Sequence, residues 1–275
     1  MSNIARAFEK GKAFIAFITC GDPDMETTAS VIRAMVKAGA DLIELGIPFS
    51  DPTAEGPVIQ AANARALANG ATADKVFDMA KALRREIDTP MVVMTYANVV
   101  YSYGGLTKYA TGKAGAGSSG IERFCDRCAE AGIDGMILPD VPFEEKGEFA
   151  PACRKRGLDF ISLVAPTSES RIAMIAKEAE GFLYIVSSLG VTGVRQQITT
   201  DIGAMVKLVR ENSDIPCAVG FGISTPEQAA KMASLSDGAI VGSAIVRIVE
   251  QYGRGAAEAV GEYVRRMKEG LGSRE

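Results

Sequence analysis

Short apolar runs recur along the whole chain at strand length: Ala13–Thr19, Leu42–Leu45, Met91–Tyr96, Gly135–Leu138, Phe160–Leu163, Phe182–Val186, Cys217–Val219 and Ala239–Val241. Each is bounded by Gly, Pro or Asp, as buried parallel strands are. Between them lie amphipathic stretches at helical spacing, among them Glu26–Ala38, Ala73–Glu86, Ile121–Ala131, Glu144–Arg156, Glu169–Ala179 and Asp201–Asn212. Eight strands, each followed by a helix or helices, predict parallel βα units that close into one (β/α)8 TIM barrel of the α/β class; an open doubly wound sheet is the competing arrangement. Three helix-to-strand junctions share a pattern, KAGADLIEL, EAGIDGMIL and KRGLDFISL. A glycine there suits the left-handed residue that ends a helix. These glycines and aspartates read as structure at the bottom of the barrel. Chemistry is expected at the opposite ends of the strands, where the βα loops meet.

The length of 275 residues fits one barrel, which needs roughly 250, so residues 1–275 are expected to form a single domain. A net charge of −4 and an isoelectric point near 5.2 argue against nucleic acid or an anionic membrane as partner. A bound phosphate must then be held locally, by backbone N–H groups or a few side chains. The first residues do not read as a signal peptide, and no apolar run approaches the roughly 18 residues of a membrane span; a cytoplasmic protein is expected. Five scattered cysteines argue against a disulfide framework. Cys125 and Cys128 form a C-x-x-C inside IERFCDRCAEAG, which reads as ordinary helix and not as a redox or zinc site. The chain has no histidine. That excludes Ser-His-Asp and Cys-His catalysis and the usual zinc-hydrolase sites, and leaves proton transfer mainly to Asp, Glu, Lys, Tyr or Cys.

Three loops stand out. Glu44 interrupts an otherwise apolar second strand, and Asp51 and Glu55 follow it. A carboxylate buried there is costly to ionise unless paired, so Glu44 is either a structural strut bonded to a neighbour or a general acid–base with a raised pKa. After the seventh and eighth strands come Gly220-Phe221-Gly222 and Gly242-Ser243. Paired glycine loops in this order suit a phosphate held by backbone N–H groups and a helix N-terminus; otherwise they only reverse the chain. After the sixth strand, Ser187–Gln196 holds Thr192 between Gly190 and Gly193, a composition for a lid over a ligand or for a surface loop.

These residues resemble the tryptophan synthase α subunits. The stretch LIELGIPFSDPTAEGPVIQ is similar to that family's signature, supported in order by FITCGDPD, MTYANVVYSYG, ILPDVPFEE, SSLGVTGVR, GFGIS and VGSAIV. The resemblance implies a carbon–carbon lyase of tryptophan biosynthesis that cleaves indole-3-glycerol phosphate to indole and glyceraldehyde 3-phosphate. It implies Glu44 as the acid–base at the indole carbon and Glu55 as the second catalytic carboxylate. Phe17, Tyr96, Tyr184 and Thr192 would contact substrate or catalytic groups, and Gly193, Gly222, Gly242 and Ser243 would hold the phosphate. It implies no metal and no organic cofactor in this chain, pyridoxal phosphate belonging to a β partner in an αββα tetramer.

Two departures matter. The second carboxylate is aspartate in the best-known members, and Glu55 reaches about an ångström further, a shift that counts where geometry controls rate. The other is Gly105–Gly120, GLTKYATGKAGAGSSG, where the family runs almost directly from one motif to the next; its composition suits a flexible insertion. A stand-alone lyase that releases free indole, a weakly catalytic subunit that regulates a β partner, and another phosphate-binding barrel isomerase or aldolase are the alternatives.

Overall fold

Nine short strands form in the computed structural model, which describes residues 3–105, 119–186, 201–220 and 222–272. Thr192, Gly193 and the greater part of the expected insertion lie outside the described residues. The strands are β1 (Ala13–Thr19), β2 (Leu42–Gly46), β3 (Met91–Met94), β4 (Gly135–Ile137), β5 (Asp159–Phe160), β6 (Leu163–Val164), β7 (Leu183–Val186), β8 (Cys217–Gly220) and β9 (Gly238–Val241). All pair in parallel in the order β5-β4-β3-β2-β1-β9-β8-β7-β6.

The two ends of this order, β5 and β6, are halves of the fifth predicted strand. Between them Ile161 N–H donates to the Met136 carbonyl in β4 (2.9 Å), and the Ser162 carbonyl accepts from Tyr184 N–H in β7 (3.1 Å). The strand thus passes from one neighbour to the other in two residues, and the chain itself joins the ends of the sheet. With helices between the strands, this is a (β/α)8 TIM barrel.

The helices are α1 (Met25–Lys37), α2 (Pro57–Ala68), α3 (Ala73–Leu83), α4 (Ala97–Tyr101), α5 (Gly120–Glu130), α6 (Ala150–Arg154), α7 (Glu169–Lys177), α8 (Ile202–Arg210), α9 (Pro226–Leu235), α10 (Ser243–Tyr252) and α11 (Ala256–Gly270). Side-chain caps start several of them. Asp24 accepts from Thr27 N–H, and Ser119–Glu122 and Thr225–Gln228 form reciprocal capping boxes. The helix expected over Glu144–Arg156 is instead a 3-10 turn, Phe143–Glu148, followed by α6. Pro151 lacks the N–H that a continuous helix needs at that point, so the helix restarts with proline in its first turn.

Strand periodicity sorts side chains into two cores. In β1, Phe14, Ala16 and Ile18 face the helices, whereas Ala13, Ile15 and Phe17 fill the barrel interior. In β2, Ile43 and Leu45 face out and Leu42 faces in, so Glu44, two residues from Leu42, also points inward. A 3-10 turn, Asn3–Phe8, closes the bottom, with Ile4 fully buried in the interior cluster.

The junction aspartates are fasteners at that bottom end. Asp41 accepts from Phe14 N–H (2.7 Å) and pairs with Lys268. Asp134 accepts from Met91 N–H (2.8 Å), Arg84 (2.8 Å) and Asn3 (2.9 Å). Asp237, just before β9, acts in the same way, accepting from Cys217 N–H (3.0 Å) and Arg210 (3.0 Å). Each ties the start of one strand to the start of its neighbour and to a cation.

Candidate active site

The alternation that turns Leu42 inward carries Glu44 to the upper interior of the barrel, level with Phe17 on β1 and Val92 on β3. Glu44 is 1% exposed. Its Oε1 is among the buried side-chain oxygens with no hydrogen-bond partner. Burial pushes its pKa up to about 8, because a lone charge there would lose its hydration without gaining a counter-ion. Tyr184 on β7 lies close enough that the Glu44 charge helps raise its phenol pKa, after burial, the larger cause. Phe17 fits beside Glu44 because its ring lies against glycine. A Cβ on Gly46 would sit 2.6 Å from the ring's ζ carbon, and one on Gly242 would sit 3.2 Å from a δ carbon.

Glu55 reaches the same cavity from the end of the β2 loop. That loop is held from both sides. The Tyr96 hydroxyl accepts from Ala54 N–H (3.1 Å), and Phe49 packs on the Tyr96 ring at 5.3 Å between centroids. On the other side, Gln60 of α2 donates to the Glu55 carbonyl (2.6 Å) and Asn63 donates to Glu55 Oε2 (2.6 Å). Glu55 is 7% exposed. Burial raises its pKa to about 7, while hydrogen bonds from Asn63 and Tyr96 oppose that rise.

These groups meet in one cavity. Phe17, Glu44, Glu55 and Tyr184 line it, with Ile59, Met94, Ile223 and Ile240 as apolar walls, and Gly222, Gly242 and Ser243 at one end. At that end Gly222 has φ +82°, a conformation glycine adopts freely. Gly242 and Ser243 begin α10, whose first turn has no side-chain cap. Uncapped N–H groups and the positive end of the helix dipole favour an anion. The cavity thus offers two carboxylates in an apolar slot and, at one end, an uncapped helix start suited to an anion.

Seven residues expected at the site therefore share one cavity: Phe17, Glu44, Glu55, Tyr184, Gly222, Gly242 and Ser243. Tyr96 does not line it; this residue is buried behind the loop and acts on Glu55 and Ala54. Asp51 is exposed and accepts from the Ser50 hydroxyl. The apolar walls and Asn63 were not foreseen. Asn63 does leave a trace in the sequence, as the one polar residue among the buried positions Ile59, Ala62, Asn63 and Ala66 of α2.

Cys125 and Cys128 are buried on α5, Cys125 Sγ lying 3.7 Å from Cys153 Sγ without a disulfide. Among the described residues no group of three or more His, Cys, Asp or Glu side chains is placed to hold a metal ion, and no helix is long and apolar enough to cross a membrane.

Known proteins match this chain over nearly its full length. A family model described as tryptophan synthase alpha chain matches residues 4–271. The tryptophan synthase alpha chain of Lacticaseibacillus casei is 43% identical over 268 residues, covering 98% of this chain and 95% of that one. The crystal structure of tryptophan synthase subunit alpha from Legionella pneumophila is similar with a TM-score of 0.84 at 37% identity, covering 98% of both chains. A Pyrococcus furiosus chain, solved in work on mutual activation of the tryptophan synthase a2b2 complex, is similar with a TM-score of 0.79 at 32% identity, covering 94% of this chain and 99% of that one. On this full-length agreement of sequence and fold, the chain belongs to the tryptophan synthase alpha chain family.

Proposed function

We propose that this chain cleaves indole-3-glycerol phosphate to indole and glyceraldehyde 3-phosphate, with Glu44 as the proton carrier and Glu55 as the carboxylate that faces the ring nitrogen. The observation that carries the assignment is the pair of buried carboxylates on one apolar cavity, with an anion-binding helix end at its side. Burial keeps Glu44 protonated near neutral pH, the state required of an acid that delivers a proton to indole carbon 3. Glu55, with the lower pKa and two hydrogen-bond donors, supplies the negative charge opposite the ring N–H as that nitrogen becomes cationic in the indolenine. The hydroxyl on the carbon attached to the ring then returns a proton to Glu44. The carbon–carbon bond breaks, its electron pair restores the aromatic ring, and the aldehyde forms. One proton enters and one leaves, so the products sum to the substrate.

The phosphate is read onto Gly222, Gly242 and Ser243 at the α10 end, joined by Gly193 of the preceding loop, with Thr192 beside the catalytic carboxylates. The reading asks for no metal and no cofactor in this chain; pyridoxal phosphate belongs to the β subunit, with which an αββα tetramer in the cytoplasm is proposed. Residues 1–275 act as one barrel domain that carries the Gly-, Ala- and Ser-rich insertion at about 105–120. A coupled assay for glyceraldehyde 3-phosphate released from indole-3-glycerol phosphate, with and without a β subunit, tests the assignment. Turnover that a β subunit increases is the expected result. No aldehyde under either condition would overturn it.

A further inference from the structure

Helix α2 has an apolar inner face except at one point. Ile59, Ala62 and Ala66 are buried there in the ordinary way, and Asn63 is buried with them at 4% exposure. An amide is costly to place in such a position unless it is hydrogen-bonded. It is also a poorer helix former than the alanines around it. Packing alone gives no reason for it. Its partner supplies one, because Asn63 Nδ2 lies 2.6 Å from Glu55 Oε2.

We propose that Asn63 is the positioning residue for Glu55: its amide occupies one carboxylate oxygen and thereby aims the other at the ring N–H of the substrate. The inference rests on the reading of Glu55 given above and adds a residue to it. The geometry is that of a clamp. Gln60 holds the Glu55 main-chain carbonyl while Asn63, one turn further along the same helix, holds the side chain. Glutamate has one more rotatable bond than aspartate, so a carboxylate on this longer stem gains more from being fixed. A donor 2.6 Å from a carboxylate oxygen also favours its charged form. The other described titratable groups around Glu55 are Glu44 on β2, Tyr184 on β7, and Tyr96 after β3 with Asp140 near its hydroxyl. None of these is a cation, so loss of the amide leaves no positive charge to take its place.

The test replaces Asn63 by Leu, which keeps the size and removes the donor, and by Ala, which keeps the helix should Leu fail to fold. Each is made in the parent and in a Glu55→Gln background, and kcat and KM for indole-3-glycerol phosphate are measured from pH 5.5 to 9. In the parent, kcat falls about 10-fold or more with KM nearly unchanged, and the acidic limb of the profile moves to higher pH by about one unit. In the Glu55→Gln background the same substitution has little further effect, because the group it positions is gone. Equal losses in both backgrounds with an unmoved acidic limb would make Asn63 a packing residue and overturn the inference. Full activity of Glu55→Gln alone would remove Glu55 from the reaction, and the positioning role with it.

Discussion

The two ends of the barrel treat acidic side chains in opposite ways. At the bottom, Asp41, Asp134 and Asp237 each take a main-chain N–H from a strand start and a cation from a helix. At the top, Glu44 and Glu55 are more deeply buried, and no described cation pairs with either. The first arrangement satisfies a charge and joins strands. The second leaves a charge expensive and so keeps a proton within reach near neutral pH. On the proposed function, the acids that meet a cation and a main-chain donor serve the framework, and those that meet no cation serve the chemistry.

The sharpest way to break this contrast is Glu44→Gln. Turnover is expected to fall by at least ~100-fold, and Glu55→Ala to lower kcat nearly as strongly. Stability should move the other way. The folded Glu44 holds its proton up to about 8 instead of 4.5, whereas the unfolded chain releases it freely. Its presence therefore costs stability increasingly as pH rises through that window. The Gln variant should melt at the parent temperature near pH 5 and above it at pH 8, by roughly 2–4 °C per kcal/mol for a chain of this size. An unchanged kcat, or a variant less stable at pH 8, would place Glu44 with the fasteners.

The complementary change at the bottom is Asp134→Ala. It strips Met91 N–H of its acceptor and Arg84 of its carboxylate partner and should cost about 1–3 kcal/mol in chemical denaturation, with kcat and KM unmoved. A change in KM would show that the two ends are coupled. Gly222→Val probes the top without touching charge. Its side chain meets a backbone at φ +82° and intrudes on the anion end. Calorimetry should show affinity for glycerol phosphate reduced about 10-fold, and unchanged affinity would move the phosphate elsewhere. The smallest effect is expected from deleting residues 106–118. Their flanks already meet, since Arg123 donates to the Tyr103 carbonyl (2.8 Å), and a longer loop adds only ~0.6 kcal/mol of closure entropy per doubling. A melting temperature that drops by more than a few degrees would make the segment part of the framework.

Most of the frame was legible because it depends on local pattern. The apolar runs marked the strands to within a few residues, and Glu44 stood out as a charge on an inward position. The junction aspartates were readable as structure, though their partners, Arg84 and Lys268, are 50 and 227 residues away. What escaped is set by path and not by pattern. Tyr96 lies past the end of β3, where alternation no longer fixes direction, and the chain turns it behind the loop. Asn63 belongs to a helix whose inner face becomes visible only once α2 has definite bounds. The break between β5 and β6 has no local signature, because Phe160–Leu163 is as apolar as its neighbours apart from Ser162.

That break bears on where such a molecule can be opened. Every ladder pair in the sheet lies wholly on one side of the Ile161–Ser162 bond or joins the two sides through β1 and β9. A chain nicked there keeps all of its strand pairing. The N-terminal fragment then carries β1–β5, the C-terminal fragment carries β6–β9, and four register pairs from Ala13↔Gly238 to Ala16↔Val241 form their seam. Glu44 and Glu55 would reside on the first fragment, and Gly222, Gly242 and Ser243 on the second. Aldehyde release by the mixed fragments would therefore report their association directly. Each fragment alone would expose a raw strand edge at β1 or β9, the condition that invites self-association in β proteins, so it is the pairing of one fragment with the other that would keep each from recruiting copies of itself.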